Sequence, residues 1–214
     1  MKRILLILLI IVSSFAPVFA QSDWQLKTDQ DGIKIYTREI PGSKIKALKV
    51  DATFDATSAQ LVNLIMDVNN ARDWVYHTKS STLIKRVSSS ELYYYSEVSL
   101  PWPLADRDFV AHLMVSQNPE TKIVTIDGPA VNGMVEPKPG VVRVSDSKGK
   151  WVITPIGNGQ VNVEYNIHLD PGGTLPSWLI NMFATQGPMN IFRNIKVELQ
   201  KPAYRNTEMA FALN

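Results

Sequence analysis

The stretch from Gln160 to Gln200, QVNVEYNIHLDPGGTLPSWLINMFATQGPMNIFRNIKVELQ, changes its periodicity once. In its first part Val163, Tyr165 and Ile167 alternate with Asn162, Glu164 and Asn166, which predicts a strand over 160–169. Pro171-Gly172-Gly173 breaks that strand. A helix then opens at Leu175-Pro176-Ser177-Trp178, where proline is tolerated in the first turn. Gly187-Pro188 predicts an interruption and a restart. Beyond it Ile191, Ile195 and Leu199 share one face, with Phe192 beside them, and Pro202 predicts the stop. A strand followed by a long amphipathic helix implies a sheet for that helix to cover.

The sheet is found by reading backwards. Glu91 to Leu100 is rich in tyrosine and alternates on both faces. Further strands are predicted at 109–115, 122–127, 141–145 and 151–154, punctuated by Asn118-Pro119, Asp127-Gly128-Pro129, Lys148-Gly149 and Asn158-Gly159. Short connections of this kind imply an antiparallel meander. Near the start, Ile33–Arg38 and Ile45–Phe54 read as a hairpin after the Asp31-Gly32 turn, and Lys44, Lys46 and Lys49, which do not sit on one face, could protect an edge. Thr57-x-x-Gln60 is a capping box leading into Leu61, Leu64, Ile65 and Val68, one helical face. The segment 73–87, which mixes Trp74, Tyr76 and His77 with Lys85-Arg86, carries no clear period. The expected order is a two-strand hairpin, a helix, five or six antiparallel strands and a long C-terminal helix. Periodicity leaves the space between sheet and helix open to side chains or to a guest.

Residues 1–20 read as a secretory signal peptide: Lys2 and Arg3, an apolar run from Ile4 to Val12, and Val18-Phe19-Ala20 before the expected cut. The competing reading is an uncleaved anchor, for which the apolar run is short. The expectation is therefore one exported domain over 21–214, periplasmic or extracellular. The whole chain has 22 Lys+Arg against 20 Asp+Glu. Removing Lys2 and Arg3 leaves the two signs equal, so neither a nucleic-acid footprint nor attraction to an anionic membrane by bulk charge is indicated. Cysteine is absent, which excludes disulfides, thiolate chemistry and cysteine metal sites.

Pro101-Trp102-Pro103-Leu104-Ala105-Asp106-Arg107-Asp108-Phe109-Val110 resembles the START (StAR-related lipid transfer) family. Gly140-Val141-Val142-Arg143-Val144 is a second match. Asp170-Pro171-Gly172-Gly173-Thr174-Leu175 continuing into Pro176-Ser177-Trp178-Leu179-Ile180-Asn181 is a third. The opening Trp24…Asp31-Gly32-Ile33-Lys34-Ile35-Tyr36 and Gly149-Lys150-Trp151 fit in the same order. The resemblance implies an α+β helix-grip (START/Bet v 1-like) fold, a curved antiparallel sheet wrapped around a long C-terminal helix and enclosing a lipid cavity. The last helix and a loop matching Gly128 to Gly140 would act as the gate. The loop tip carries Val131, Met134 and Val135, which would touch a bilayer briefly or fold back onto the core. In some sterol- and phospholipid-binding relatives an arginine stands six positions beyond the signature arginine. Here that position is Leu113, which suits a less polar ligand or another headgroup anchor.

A lipid cavity needs apolar walls and one or two orienting polar groups. Strand alternation offers Tyr93, Tyr95 and Glu97 on one face, then Phe109, Ala111 and Leu113 on the next strand. Later strands offer Trp151 and Ile153, then Val163, Tyr165 and Ile167. The closing helix offers Trp178, Met182, Phe183, Met189 and Phe192. Each has ordinary core packing as its plain alternative. Glu97 would accept a hydrogen bond from a lipid hydroxyl if its face points inward, and is solvated if it points out. Arg107 and Asp108 are expected to pair locally and hold the start of their strand.

The function these features imply is binding, with transfer or sensing, of one hydrophobic ligand by a monomer, with no cofactor, metal or nucleic-acid partner expected. The alternative is an aromatase/cyclase-like enzyme on a related fold, for which His77, His112, His168 and Glu97 are the available acids and bases. The histidines have no metal-ligand spacing. His112 and His168 would have to meet Glu97 in space for that reading.

Overall fold

The computed structural model describes residues 24–43 and 45–205, so the expected signal peptide and Lys44 lie outside the described residues. The described residues form a ten-stranded sheet with a long helix packed on it. Three strands come first, β1 (Gln25–Gln30), β2 (Ile33–Arg38) and β3 (Ala47–Phe54). Helix α1 (Ser58–Met66) and a 3-10 turn (Val68–Asp73) follow. Seven more strands are β4 (Thr78–Arg86), β5 (Glu91–Val98), β6 (Asp106–Gln117), β7 (Val124–Val131), β8 (Val141–Arg143), β9 (Asp146–Gly157) and β10 (Gln160–Asp170). Helix α2 (Ser177–Glu198) and the short α3 (Pro202–Arg205) end the described chain.

The sheet order is β1-β2-β3-β10-β9-β7-β6-β5-β4, with β8 joined to β6 in the sheet's parallel pair. The β1–β2 turn at Asp31-Gly32 and the β9–β10 turn at Asn158-Gly159 both place two successive residues at positive φ, between 53° and 71°. That is the backbone a two-residue hairpin requires, and asparagine or aspartate followed by glycine supplies it. The expected capping box is present: the Gln60 amide donates to Thr57 Oγ1 (3.3 Å) and the Thr57 amide to Gln60 Oε1 (2.8 Å).

The core lies between one face of the sheet and the two helices. Ile33 and Ile35 on β2 are fully buried, as are Ile153 and Val163 near the centre of the sheet. Leu61 and Leu64 of α1 and Phe192 and Ile195 of α2 close over them. Phe192 is the junction. Its ring stacks on Trp151 (5.7 Å, 14°) and meets Phe54 (5.7 Å), while Trp151 stacks on Tyr165 at 4.0 Å.

Several expectations are corrected. β1 is a full strand, so three strands precede α1. The unassigned segment contains β4, whose pairing with β5 shifts register twice, between Thr78 and Ser80 and between Leu83 and Lys85. Each bulge reverses the alternation, so no period is visible in the sequence. β7 runs through Gly128-Pro129, expected as a turn, because Gly128 serves a close approach: a Cβ there would lie 2.9 Å from Leu113 Cδ2. α2 is continuous through Gly187-Pro188, both buried, so tertiary packing overrides the local helix-breaking signal. Pro202 opens α3 rather than ending α2.

The Phe192 junction yields a stability prediction. Phe192→Ala should cost about 3–5 kcal/mol and lower the urea midpoint without changing the slope. A change below ~1 kcal/mol would show that the junction is not the principal helix-to-sheet contact.

Candidate ligand cavity

Between α2 and the sheet lies a cavity of about 680 Å³. Its floor is made by small residues that face each other across neighbouring strands: Ala111 opposite Ala130, and Gly128 opposite Gly149. Side chains of ordinary size there would fill the space. A Cβ on Gly149 would already lie 3.4 Å from Tyr165 Oη. The walls are apolar and come from Val98, Phe109, Ile167, Phe183 and Ile191, and Phe192 bounds one end.

Of the residues expected to face a ligand, Phe109, Ala111, Tyr165, Ile167, Phe183 and Phe192 line the cavity. Leu113, Trp151 and Met189 are buried in the surrounding core, Leu113 against Gly128 and Trp151 behind Tyr165. Trp178 and Met182 belong to α2, but their side chains lie outside the described residues. β5 corrects the expectation. The cavity takes Tyr94 and Val98, whereas Tyr93, Tyr95 and Glu97 occupy the opposite face. Tyr94 pairs across the ladder with Ala111, which shares its side of the sheet.

The phenols of Tyr94 and Tyr165 are the polar groups deep in the cavity, and neither has a hydrogen-bond partner among the described residues. Burial pushes the Tyr94 hydroxyl up to about 12 and that of Tyr165 higher still. Both are therefore neutral donors. Thr37, another lining residue, is buried with its Oγ1 unpartnered. The two phenols, without a partner among the described residues, are available to donate to a guest oxygen at this depth.

Arg107 also lines the cavity and is buried. The expected local pair with Asp108 does not form, because adjacent strand residues point to opposite faces. Arg107 instead donates to the backbone carbonyls of Ala105 (2.6 Å), Gly172 (3.1 Å) and Pro171 (3.2 Å), tying β6 to the segment that leads into α2. Asp108 receives two bonds from Arg143, at 2.7 and 3.0 Å.

The outer face of β5 and β6 carries a polar network. Glu97 is bridged by Lys79 (2.7 Å) and Lys138 (2.9 Å), and Tyr95 Oη lies 3.1 Å from Asp108 and 3.3 Å from Glu97. Arg143 Nη1 also donates to the Val135 carbonyl at 2.9 Å. The network thus fastens the loop after β7 to the sheet. On that loop Met134 is exposed and Val135 half-buried, and Val131 ends β7. Hydrogen bonds from Lys79 and Lys138 hold the Glu97 carboxyl down at about 2.

The three histidines are dispersed. His112 bonds Glu91 at 2.7 Å and stacks on Tyr93 at 4.1 Å. His168 lies 3.3 Å from Ser43 Oγ, and His77 packs near Phe183. Neither His112 nor His168 has Glu97 as a hydrogen-bond or ion-pair partner. Among the described residues no group of three His, Cys, Asp or Glu is placed to hold a metal.

The Glu97 bridges make stability depend on acid. A carboxyl whose folded pKa is depressed contributes stability above its unfolded value, ~4.3, and loses it as pH falls through the folded value. Wild-type urea midpoints should therefore fall between about pH 4.5 and pH 2 more steeply than those of Glu97→Gln. Parallel profiles would show that the bridges contribute nothing.

The family model described as START domain matches residues 19–204. An uncharacterized protein of Pseudomonas aeruginosa is 30% identical over 185 residues, covering 84% of this chain and 88% of that one. The phosphatidylcholine transfer protein of Mus musculus is 30% identical over 186 residues, covering 84% of this chain and 85% of its own. The crystal structure of a STAR-related lipid transfer protein from Xanthomonas axonopodis superimposes with a TM-score of 0.76 at 30% identity, covering 83% of this chain and 99% of that one. On that family match and on relatives of 30% identity over most of both chains, this chain belongs to the START domain family.

Proposed function

We propose that this chain takes one lipid molecule into the cavity and carries it between membranes as a monomer. The observation that carries the reading is the Ala/Gly floor, which keeps about 680 Å³ open beneath α2 where a packed core would otherwise close. Names of relatives with phosphatidylcholine transfer activity support the same class of cargo. The gate in this reading is the first half of α2 together with the loop from 132 to 140. Ile180 is partly exposed on α2, and Met134 is exposed on the loop.

Delivery needs contact with a bilayer. Trp102 is 92% exposed in the connection between β5 and β6, two residues from Leu100, which lines the cavity. An indole this exposed, beside the cavity, suits the bilayer interface, where one part is apolar and the other wet. Trp102, Met134 and Ile180 supply that contact, and it favours a carrier over a sensor that keeps its ligand. No helix of the described residues is long and apolar enough to cross a membrane. The N-terminal segment, with Lys2, Arg3 and the Val18-Phe19-Ala20 motif, supports export with cleavage after Ala20. Mature protein recovered outside the cytoplasm should then begin at Gln21.

Transfer of labelled phosphatidylcholine, fatty acid and sterol between donor and acceptor vesicles tests the reading. At least one class should move at a rate proportional to protein concentration. Trp102→Ala should slow transfer about tenfold, the scale of one lost apolar burial, with affinity for the lipid in solution unchanged. Failure to move any class, with turnover of an aromatic polyketide instead, would replace the carrier by an enzyme.

A further inference from the structure

Resting on the cavity reading above, we propose that the cargo is a single-chain amphiphile with an anionic head, held by the guanidinium of Arg107. Arg107 is 7% exposed, and all three of its acceptors are neutral backbone carbonyls. Arginine has five N–H donors. One on each terminal nitrogen is left over, the pair that receives a carboxylate or phosphate as a fork. A buried cation facing only carbonyls is costly until an anion joins it.

The neighbouring acids do not neutralise it. Asp106 is bridged to Lys79 at 2.9 Å, and Asp108 is held by Arg143 on the outer face. Burial alone acts on the Arg107 titration, and it pushes the value down.

The rest of the lining has the same sign. Among the described residues it includes Lys27 and Lys46 and no aspartate or glutamate. Lys46 is partly met by Glu39 at 3.2 Å, and Lys27 bonds Gln25 at 3.2 Å, so Arg107 is the buried member of the set. These cations are gathered at one end of the sheet. Lys46 immediately precedes β3, whose Leu48 lies opposite Ile167. Ser147 opposes Leu169 at the same edge, and Arg107 opposes Val98 where β6 begins. Phe192, Trp151 and the neutral phenol of Tyr165 lie farther in. The cavity is therefore polarised, cationic at one end and neutral at the other. Its volume falls in the range of a drug-sized guest, which favours one acyl chain over two.

Binding of hexadecanoate, hexadecyl phosphate and methyl hexadecanoate to the wild-type protein at about pH 8, where the carboxylate is ionised, tests the proposal. Both anions should bind about tenfold or more tightly than the ester, the scale of one charge-assisted bond. Equal affinities overturn the proposal. In Arg107→Gln the preference should vanish while the ester still binds, and a preference that persists assigns it elsewhere and overturns the proposal. Arg107 also clamps the segment before α2, so the fold of that variant is checked first by circular dichroism. Lys27→Gln combined with Lys46→Gln then decides. A retained preference supports Arg107, and a lost one moves the effect to the rim and overturns the proposal. Phosphatidylcholine transfer is measured alongside. Transfer without anion preference sinks this inference alone, whereas neither binding nor transfer of any amphiphile sinks the carrier reading with it.

Discussion

Helix α2 touches the sheet at one end and spans a hollow at the other, and the contact at Phe192 sets both. Its ring stacks on Trp151 and meets Phe54, so the helix sits at the spacing of two packed aromatic layers. That spacing continues along α2 because a helix is stiff. Where the sheet offers Ala111, Ala130, Gly128 and Gly149 instead of large side chains, the same separation leaves space. The hollow is therefore not a packing defect that a small shift could close. Bringing the whole of α2 down as a rigid body onto the Ala/Gly floor would pull Phe192 out of its stack, and losing that burial costs several kcal/mol.

The two faces of β5 and β6 divide the chemistry. Inward, Tyr94, Val98, Phe109 and Ala111 meet the cavity. Outward, Tyr95, Glu97 and Asp108 join Lys79, Lys138 and Arg143 in one network. Lys138 and Arg143 follow the tip that carries Met134 and Val135, so the charges that fix the loop lie on the face away from the cavity. The strand pleat makes this separation, and it also sends the signature pair Arg107 and Asp108 to different tasks.

Much of this was legible. The α2 face of Ile191, Ile195 and Leu199, the capping box at Thr57 and the Asn-Gly and Asp-Gly hairpins each have a local physical cause. So did six of the lining positions, Phe109, Ala111, Tyr165, Ile167, Phe183 and Phe192. The choice of face on β5 was not legible from that strand alone, since Tyr93, Tyr94 and Tyr95 make both faces aromatic. The next strand held the answer. Once Phe109 faces inward, Arg107 must do so too and Asp108 must not, and pairing then carries Tyr94 inward with Ala111. β4 was hidden by its two bulges. Gly128 and Gly149 were read as turn residues because glycine serves turns and close approaches alike. Only the opposed strands show which role is in force.

The asymmetry of α2 bears on the proposed gate. Its second half is tied down by buried Phe192 and Ile195, by two bonds from Arg193 to the Asp31 carboxylate, at 2.8 and 2.6 Å, and by Lys196 on the Asp31 carbonyl. Its first half begins at Pro176 without a side-chain cap, after Gly172 and Gly173, both at positive φ. Pro188 lies between the halves and removes one helical hydrogen bond. In the proposed reading Gly187-Pro188 is the hinge, and lifting the first half about it would leave Phe192 and Ile195 in place while exposing the buried Leu179. The clamp that such a motion must release is Arg107 on the Pro171 and Gly172 carbonyls. The residue that lines the cavity is thus also the one that fastens its cover. In the proposed reading, an anion reaching that guanidinium would add acceptors beside those carbonyls and so would link the gate to the cargo.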